Sequence, residues 1–369
     1  MSGRLLVALV ASLAVVLAAP FVGQARGALQ GALPDHYRNI VLGMVAIGVV
    51  AIMAIALTMI RERRLLRYSL LAGSVAGGVV YAYLTRTDNP EVNAVEWFHF
   101  VEYGLLTLLF HRAWREAGDL SSLVLPAVAV FVVGTLDEGF QWFVPARVGE
   151  LRDVFLNLAA IACGLVCGAG IEPPSRLAHV TAHTRRNLSY GLAVAVLALS
   201  VFVYTVHMGY HVRDESGDGL LSRFSVEDLR SASIDRGERW KNTPPVELRR
   251  LSREDQYLAE GIWHIQQRSI AFRDGDPRTA FKENQILETW FAPVLDFPTY
   301  LTPETERWSP EQKAAVAEKV VPGEKPFISD ASPIPIYTWS RAAFAIAASV
   351  LVLLFAISGF VAQPGPRRS

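Results

Sequence analysis

The sequence predicts an all-α fold: a polytopic membrane helix bundle of about eight transmembrane helices, with a mainly helical domain outside the membrane. Three observations predict it. Hydrophobic residues fill 51% of the 369 positions and charged residues only 19%, where a soluble globular chain carries about 25% charged residues. Apolar runs of roughly 18–25 residues, long enough to cross a hydrocarbon core as a helix, recur along the chain. The remaining charge is concentrated in Val212–Ile336, which holds all five lysines among 17 basic and 22 acidic side chains, net −5 in a chain whose total is zero. This composition excludes a cytosolic globular enzyme. It also excludes a strongly basic nucleic-acid binder, because the charge balance is neutral and no basic stripe is present.

The eight apolar runs are Leu5–Val22, Ile40–Ile60, Tyr68–Leu84, Trp97–Trp114, Leu120–Trp142, Val154–Ile171, Leu188–Met208 and Tyr337–Val361. Backbone polar groups have no water partner inside a bilayer, so helices are expected. The first run also has features of a secretory signal, with Arg4 ahead of it and small residues at Ala18 and Ala19; retention as a span is expected, since no strong cleavage site stands out. Lys/Arg bias in short loops sets orientation. Arg4, Arg61, Arg63, Arg64, Arg67, Arg112, Arg115, Arg176, Arg185, Arg186, Arg367 and Arg368 fall on one side, and only Arg26, Arg38, Arg86, Arg147 and Arg152 on the other. Both termini are therefore expected in the cytoplasm, with 212–336 outside the cytoplasmic membrane. In that segment Ser252–Asp255 is a capping-box-like start. Leu258, Ile262, Ile265, Ser269 and Phe272 follow at helical spacing up to the break at Asp274–Pro277, a second helix covers Arg278–Ala292, and a third begins at Ser309–Pro310 with Gln312 completing its cap.

Ionisable side chains at membrane depth are costly and face a bundle interior or cavity, so each is a functional-site candidate. Glu96, His99 and Tyr103 share one face of the fourth run. The fifth ends with Asp137, Glu138 and Gln141, and the sixth opens with Arg152, Asp153 and Asn157; the connecting loop adds Arg147. All lie at the same end of the three spans, the outer end by the charge rule. The candidate ligand-binding set is His99, Tyr103, Asp137, Glu138, Gln141, Arg147, Asp153 and Asn157. Asp137 and Glu138 are also candidates for a catalytic acid–base pair, since neighbouring carboxylates in a low dielectric push their pKa values apart. Arg147 is the natural contact for a phosphate or carboxylate.

These residues carry a resemblance. Trp97–Phe–His–Phe–Val–Glu–Tyr103, Asp137–Glu–Gly–Phe–Gln141, Pro145–Ala–Arg147 and Arg152–Asp–Val–Phe–Leu–Asn157 resemble the VanZ-like membrane proteins, whose pattern is an HFxxY segment, a DExxQ segment, an Arg and a DxxxN segment in this order. The resemblance covers roughly Ile40–Ile171. Family members usually carry Lys before the HF pair, where Glu96 stands nearby here. The resemblance implies a bacterial cytoplasmic (inner) membrane setting in the cell envelope; the founding member lowers susceptibility to teicoplanin-type glycopeptides. It supplies no reaction. With it, the chain divides into 1–39 (first transmembrane helix or signal anchor and outer loop), 40–171 (VanZ-like transmembrane domain), 172–211 (cytoplasmic loop and seventh helix), 212–336 (extracytoplasmic domain) and 337–369 (last helix and short tail).

Each polar candidate also has a plainer reading. Asp137 and Glu138 can pair with Arg147, Arg152 and His99 to lock three helices together. His99 with Glu96, Asp137 and Glu138 has metal-ligand chemistry, but without an HExxH helix no metal and no other cofactor is expected. His207/His211 and His179/His183 stand at i, i+4 near membrane borders and read as interfacial pairs. Gly164–Gly168 and Gly73–Gly77 read as close-packing stripes, Cys163 and Cys167 as apolar fillers. Trp263, His264, Trp290, Phe291 and Trp308 read as core and rim of the outer domain. The expected partners are membrane lipids and a lipid-linked envelope precursor, with no nucleic acid. Three functions follow: a protein that binds an anionic lipid or lipid-linked precursor in the polar pocket, an intramembrane enzyme acting on one, or a scaffold docking a protein partner through 212–336.

Overall fold

The computed structural model describes residues 2–87, 90–144, 147, 149–174, 181–214, 217–246, 254–320, 326–331 and 334–362. Seven long helices come first: α1 (Gly3–Ala32), α2 (Tyr37–Met59), α3 (Arg64–Thr85), α4 (Pro90–Trp114), α5 (Ser121–Gln141), α6 (Leu151–Ile171) and α7 (Ala182–Val206). Two strands follow, β1 (Tyr210–Arg213) and β2 (Gly219–Ser222), then α8 (Val226–Arg239), α9 (Glu254–Asp274), α10 (Pro277–Trp290), α11 (Ala292–Asp296) and α12 (Pro310–Ala317). Strand β3 (Ile328–Ser329) and α13 (Arg341–Val361) complete the order. The fold is the all-α polytopic bundle that the composition predicts. Seven of these helices, α1–α3, α5–α7 and α13, are long and apolar enough to cross a membrane. Helix α4 has the length as well, but its sequence carries Glu96, His99 and Glu102, so the eighth expected span is the polar one. It packs on α1, α2, α5 and α6, as a helix bearing ionisable groups in lipid must.

The chain forms two compact units, one of residues 1–141, 148–202 and 345–369, the other of 142–147 and 203–344. In the first, α1 is capped by Ser2, whose hydroxyl accepts from the Leu5 amide at 3.3 Å. The helix runs past the apolar stretch to Ala32, because no proline intervenes between Pro20 and Pro34. The unit's core gathers Tyr103, Leu106, Phe110, Val130, Ala160 and Ile161 from α4, α5 and α6. Gly164 permits the closest approach: a Cβ there would stand 2.9 Å from the Gly104 carbonyl oxygen and 2.9 Å from the Thr107 Cβ. Gly168 likewise faces the His111 ring. Of the other expected stripe, Gly77 faces Cys163, whereas Gly73 meets nothing within 4 Å.

In the second unit the segment after α7 is not purely helical. Strands β1, β2 and β3 form a small sheet in that order, with β1 antiparallel to β2 and β2 parallel to β3. Helix α8 starts with a capping box between Ser225 and Asp228, and α12 with the expected one between Ser309 and Gln312. Ser252 and Arg253, expected to cap α9, lie outside the described residues, as do Arg176 and His179. Leu258, Ile262 and Ile265 of α9 enter a core with Leu220, Leu229, Tyr257, Leu287, Phe291 and Val294. The expected apolar stripe stops there, since Ser269 and Phe272 are exposed. His264, Trp290 and Phe291 are buried, and Trp263 and Trp308 half-buried.

Candidate functional site

Helices α4, α5 and α6 bring most of the predicted polar residues into one buried cluster. The Tyr103 hydroxyl on α4 donates to the Asp137 Oδ2 on α5 at 3.0 Å. One turn on, the Gln141 amide donates to the same oxygen at 3.0 Å and lies 3.4 Å from the Glu138 Oε1. The other Glu138 oxygen accepts the Glu150 backbone amide at 3.2 Å, tying the end of α5 to the start of α6. Tyr103, Asp137, Glu138 and Gln141 are all buried. The His99 ring is half-buried and stacks on Tyr103 with centroids 5.9 Å apart; its Nδ1 is 3.9 Å from Glu102.

Asn157 enters from α6. It is 1% exposed, and neither its Nδ2 nor its Oδ1 has a hydrogen-bond partner among the described residues. Its neighbour across the interface is Gly134, where a Cβ would lie 3.1 Å from both the Asn157 amide nitrogen and the Tyr103 ring. A side chain at 134 would therefore separate Tyr103 and Asn157. A buried amide with both ends unpaired costs about 1–3 kcal/mol, so the site holds polar groups in excess of what its own residues satisfy.

Two further predicted residues are half-buried. Asp153 is half-buried in the first turn of α6. Arg147 is half-buried, donates its backbone amide to the Val144 carbonyl at 3.1 Å, and belongs to the second unit. Pro145 and Ala146 beside it lie outside the described residues. Arg152 pairs with Glu96 and donates to the Thr85 carbonyl at 3.1 Å. Glu96, the departure from the resemblance, is thus buried and compensated by a cation from α6. Glu150, in the loop ahead of α6, has its carboxyl pushed up by burial, with Arg152 opposing. Among the described residues no three of His, Cys, Asp and Glu gather as metal ligands. His207 gives its Nδ1 to a contact with the Pro335 carbonyl at 3.0 Å, and the ring of His211 receives the Arg213 guanidinium.

Sequence reasoning missed a second polar layer at the opposite end of the same helices. His111 on α4 is buried, with Nδ1 3.3 Å from the Ser122 carbonyl and Nε2 2.9 Å from the Glu172 carbonyl. Arg112 and Arg115 pair with Glu172 at 3.3 and 3.1 Å. Arg67 donates to the Gly170 carbonyl at 2.7 Å and to that of Ile171, closing the C-terminus of α6. Asp119 accepts from Ser121 and Thr184; burial alone would raise its carboxyl, but these hydrogen bonds prevail and hold it low. Its partners are internal, so this layer reads as structural.

Residues 49–171 match the VanZ/LLP1 family model. That segment is VanZ-like. The match ends with α6 and contains Glu96, His99, Tyr103, Gly134, Asp137, Glu138, Gln141 and Asn157. No curated protein and no solved structure matches the chain. Together with seven helices long and apolar enough to cross a membrane, the match over this segment fits a membrane protein.

Proposed function

We propose that the VanZ-like bundle binds a lipid or lipid-linked precursor of the bacterial cytoplasmic membrane, its head group held by the cluster around Tyr103, Asp137, Glu138, Gln141 and Asn157. The observation that carries this reading is Asn157, buried without a hydrogen-bond partner among the described residues, beside side chains that are otherwise matched. An amide in that state needs one donor and one acceptor from a ligand, which a hydroxyl or amide of a head group supplies. The acids favour donor groups on that ligand. A second feature supports a lipid. An apolar cleft of about 130 Å³ is lined by Val49, Ile52, Gly78, Phe100, Gly104 and Cys163, among others, and uses α4 and α6 as the polar cluster does. Its lining suits an acyl chain.

Native mass spectrometry of the full chain released from nanodiscs tests this, wild type beside Asp137→Ala. A bound lipid that the wild type retains and Asp137→Ala lacks, beyond any lipid common to both, is expected. No such difference between the two would overturn the reading and move attention to docking by 212–336. An acid–base reading of the same site draws on one specific feature, the two buried carboxylates served by one Gln141 amide. Turnover of the retained lipid that vanishes in Glu138→Gln, with binding kept, would mark it.

A further inference from the structure

The second unit contains a cavity of about 680 Å³ whose wall carries Trp142, Tyr204, Arg223, Arg236, Gln256 and Arg341, within the range of roughly 300–1,000 Å³ typical of small-molecule sites. Three arginines face a single acid on that wall, Asp228, whose carboxylate is already used by the Ser225 amide and hydroxyl at 3.3 and 2.8 Å. Arg223 lies over the Trp142 ring at 4.7 Å and is compensated by Glu260 at 3.4 Å. Arg236 has Asp235 at 3.0 Å. Arg341 pairs with no carboxylate among the described residues: one amino group donates to the Met208 carbonyl at 2.8 Å, and the guanidinium lies 5.2 Å from the Tyr204 ring centre and 4.7 Å from that of Tyr210.

Hydrogen-bond satisfaction points the same way. Three buried polar atoms on this wall have no hydrogen-bond partner among the described residues: the Trp142 Nε1, the Arg236 Nε and the Arg341 Nε. Trp142 itself is 3% exposed. All three atoms are donors, and none of these groups can accept. An acceptor-rich, donor-poor ligand is what such a wall lacks, and a phosphate oxygen is that acceptor. Arg341 is also the first residue of α13. A cation at a helix N-terminus opposes the helix dipole, and an anion bound between them removes the conflict. Tyr204, in the last turn of α7, and Arg341 each end an apolar span, where aromatic and basic side chains meet the head-group layer.

We propose that this cavity binds a phosphate-bearing anion, through Arg341, Arg236 and the Trp142 indole N–H. The phosphodiester of an anionic phospholipid and free phosphate share this chemistry. The inference goes beyond the bundle site and stands if that reading fails, since it uses no residue of the cluster around Asp137.

The test uses the full chain with Trp142→Phe, which keeps the ring beneath Arg223 and removes only the donor, and with Arg341→Gln. Vesicles of mixed phosphatidylglycerol and phosphatidylcholine supply the lipid arm, read by native mass spectrometry. Inorganic phosphate titrated into lipid-free detergent supplies the other arm, read as the tryptophan emission that differs between wild type and Trp142→Phe. Selective retention of phosphatidylglycerol by the wild type, weakened about tenfold or more in each variant but kept in Asp137→Ala, supports the lipid source. An emission change with inorganic phosphate that Arg341→Gln abolishes supports free phosphate. No response in either arm, or responses that both variants leave intact, overturns the proposal. Should Arg341→Gln fail to fold, as circular dichroism would show, Trp142→Phe in the lipid arm decides alone.

Discussion

Asn157 separates a ligand site from a structural knot at the level of one residue. Every other member of the cluster has a partner, so truncating Tyr103 or Asp137 disturbs packing and binding together. Asn157 has no hydrogen-bond partner to lose among the described residues. Replacing it by the nearly isosteric Leu removes a buried, unsatisfied amide, which costs about 1–3 kcal/mol to keep. The Asn157→Leu protein is therefore expected to be more stable than wild type by about 1 kcal/mol in thermal unfolding without lipid, on that scale, and to lose the retained lipid. A destabilised variant would mean that the amide has a partner in the folded protein, and the site argument would go with it. This residue was legible in the sequence because DxxxN places it one turn into a span, where an amide has no ordinary reason to be. Its isolation was not legible, since that depends on Gly134 of another helix. Nor was the fate of Arg147, which the sequence puts five residues from Arg152 and the fold puts in the other compact unit.

Elements succeed or fail on the contacts their faces make. The α4–α6 contact rests on Gly164, where an added side chain meets the Gly104 carbonyl and Thr107 rather than a flexible tip. Gly164→Val is expected to lower thermal stability, on the scale of about 1–3 kcal/mol for overpacking. Gly43→Val, at a position with nothing within 4 Å, is the control and should leave it nearly unchanged. In the second unit, α10 starts at Pro277 behind Asp276, whose side chain accepts the Thr279 amide at 3.1 Å. The hydrogen bonds from Thr279 hold the Asp276 carboxyl below the usual carboxylate range. A depressed carboxyl stabilises the fold above its unfolded pKa and loses that contribution as pH falls through the folded one. Asp276→Ala should thus cost about 0.5–2 kcal/mol at neutral pH and flatten the fall of the melting temperature below about pH 4; an unchanged acid limb would refute the cap. The caps at Ser309 and the apolar runs were readable because they are local and periodic. The sheet was not, since its strands hold four, four and two residues, too few for an alternation to register. The His111–Glu172 layer was hidden for another reason: its members sit at helix ends, where charge reads as loop, and they meet across 61 residues of sequence.

At the scale of the whole molecule, the distribution of arginines among short loops has a consequence that the helices alone do not. Twelve basic residues lie on one side of the expected spans and five on the other, and such a bias orients a polytopic chain with the richer side in the cytoplasm. By this rule the loop between α2 and α3 is expected on the rich side, and the segment that carries most of the acid on the other. Acidic residues contribute little to orientation, so the net −5 of 212–336 is a result of placement rather than its cause. Lys241 and Glu62 are both exposed and sample the two sides. In a background with Cys163 and Cys167 replaced by Ala, Lys241→Cys is expected to react with a membrane-impermeant maleimide in intact spheroplasts, and Glu62→Cys only after permeabilisation. The reverse pattern would invert the bundle and put the cluster of Tyr103, Asp137 and Asn157 at the cytoplasmic end. Labelling of both in intact spheroplasts would remove α3–α7 as an odd number of crossings between them. The charge rule demands that odd number: five expected spans, α3–α7, separate the two positions, and α4, the polar one, has to cross with the rest for Lys241 to reach the outside.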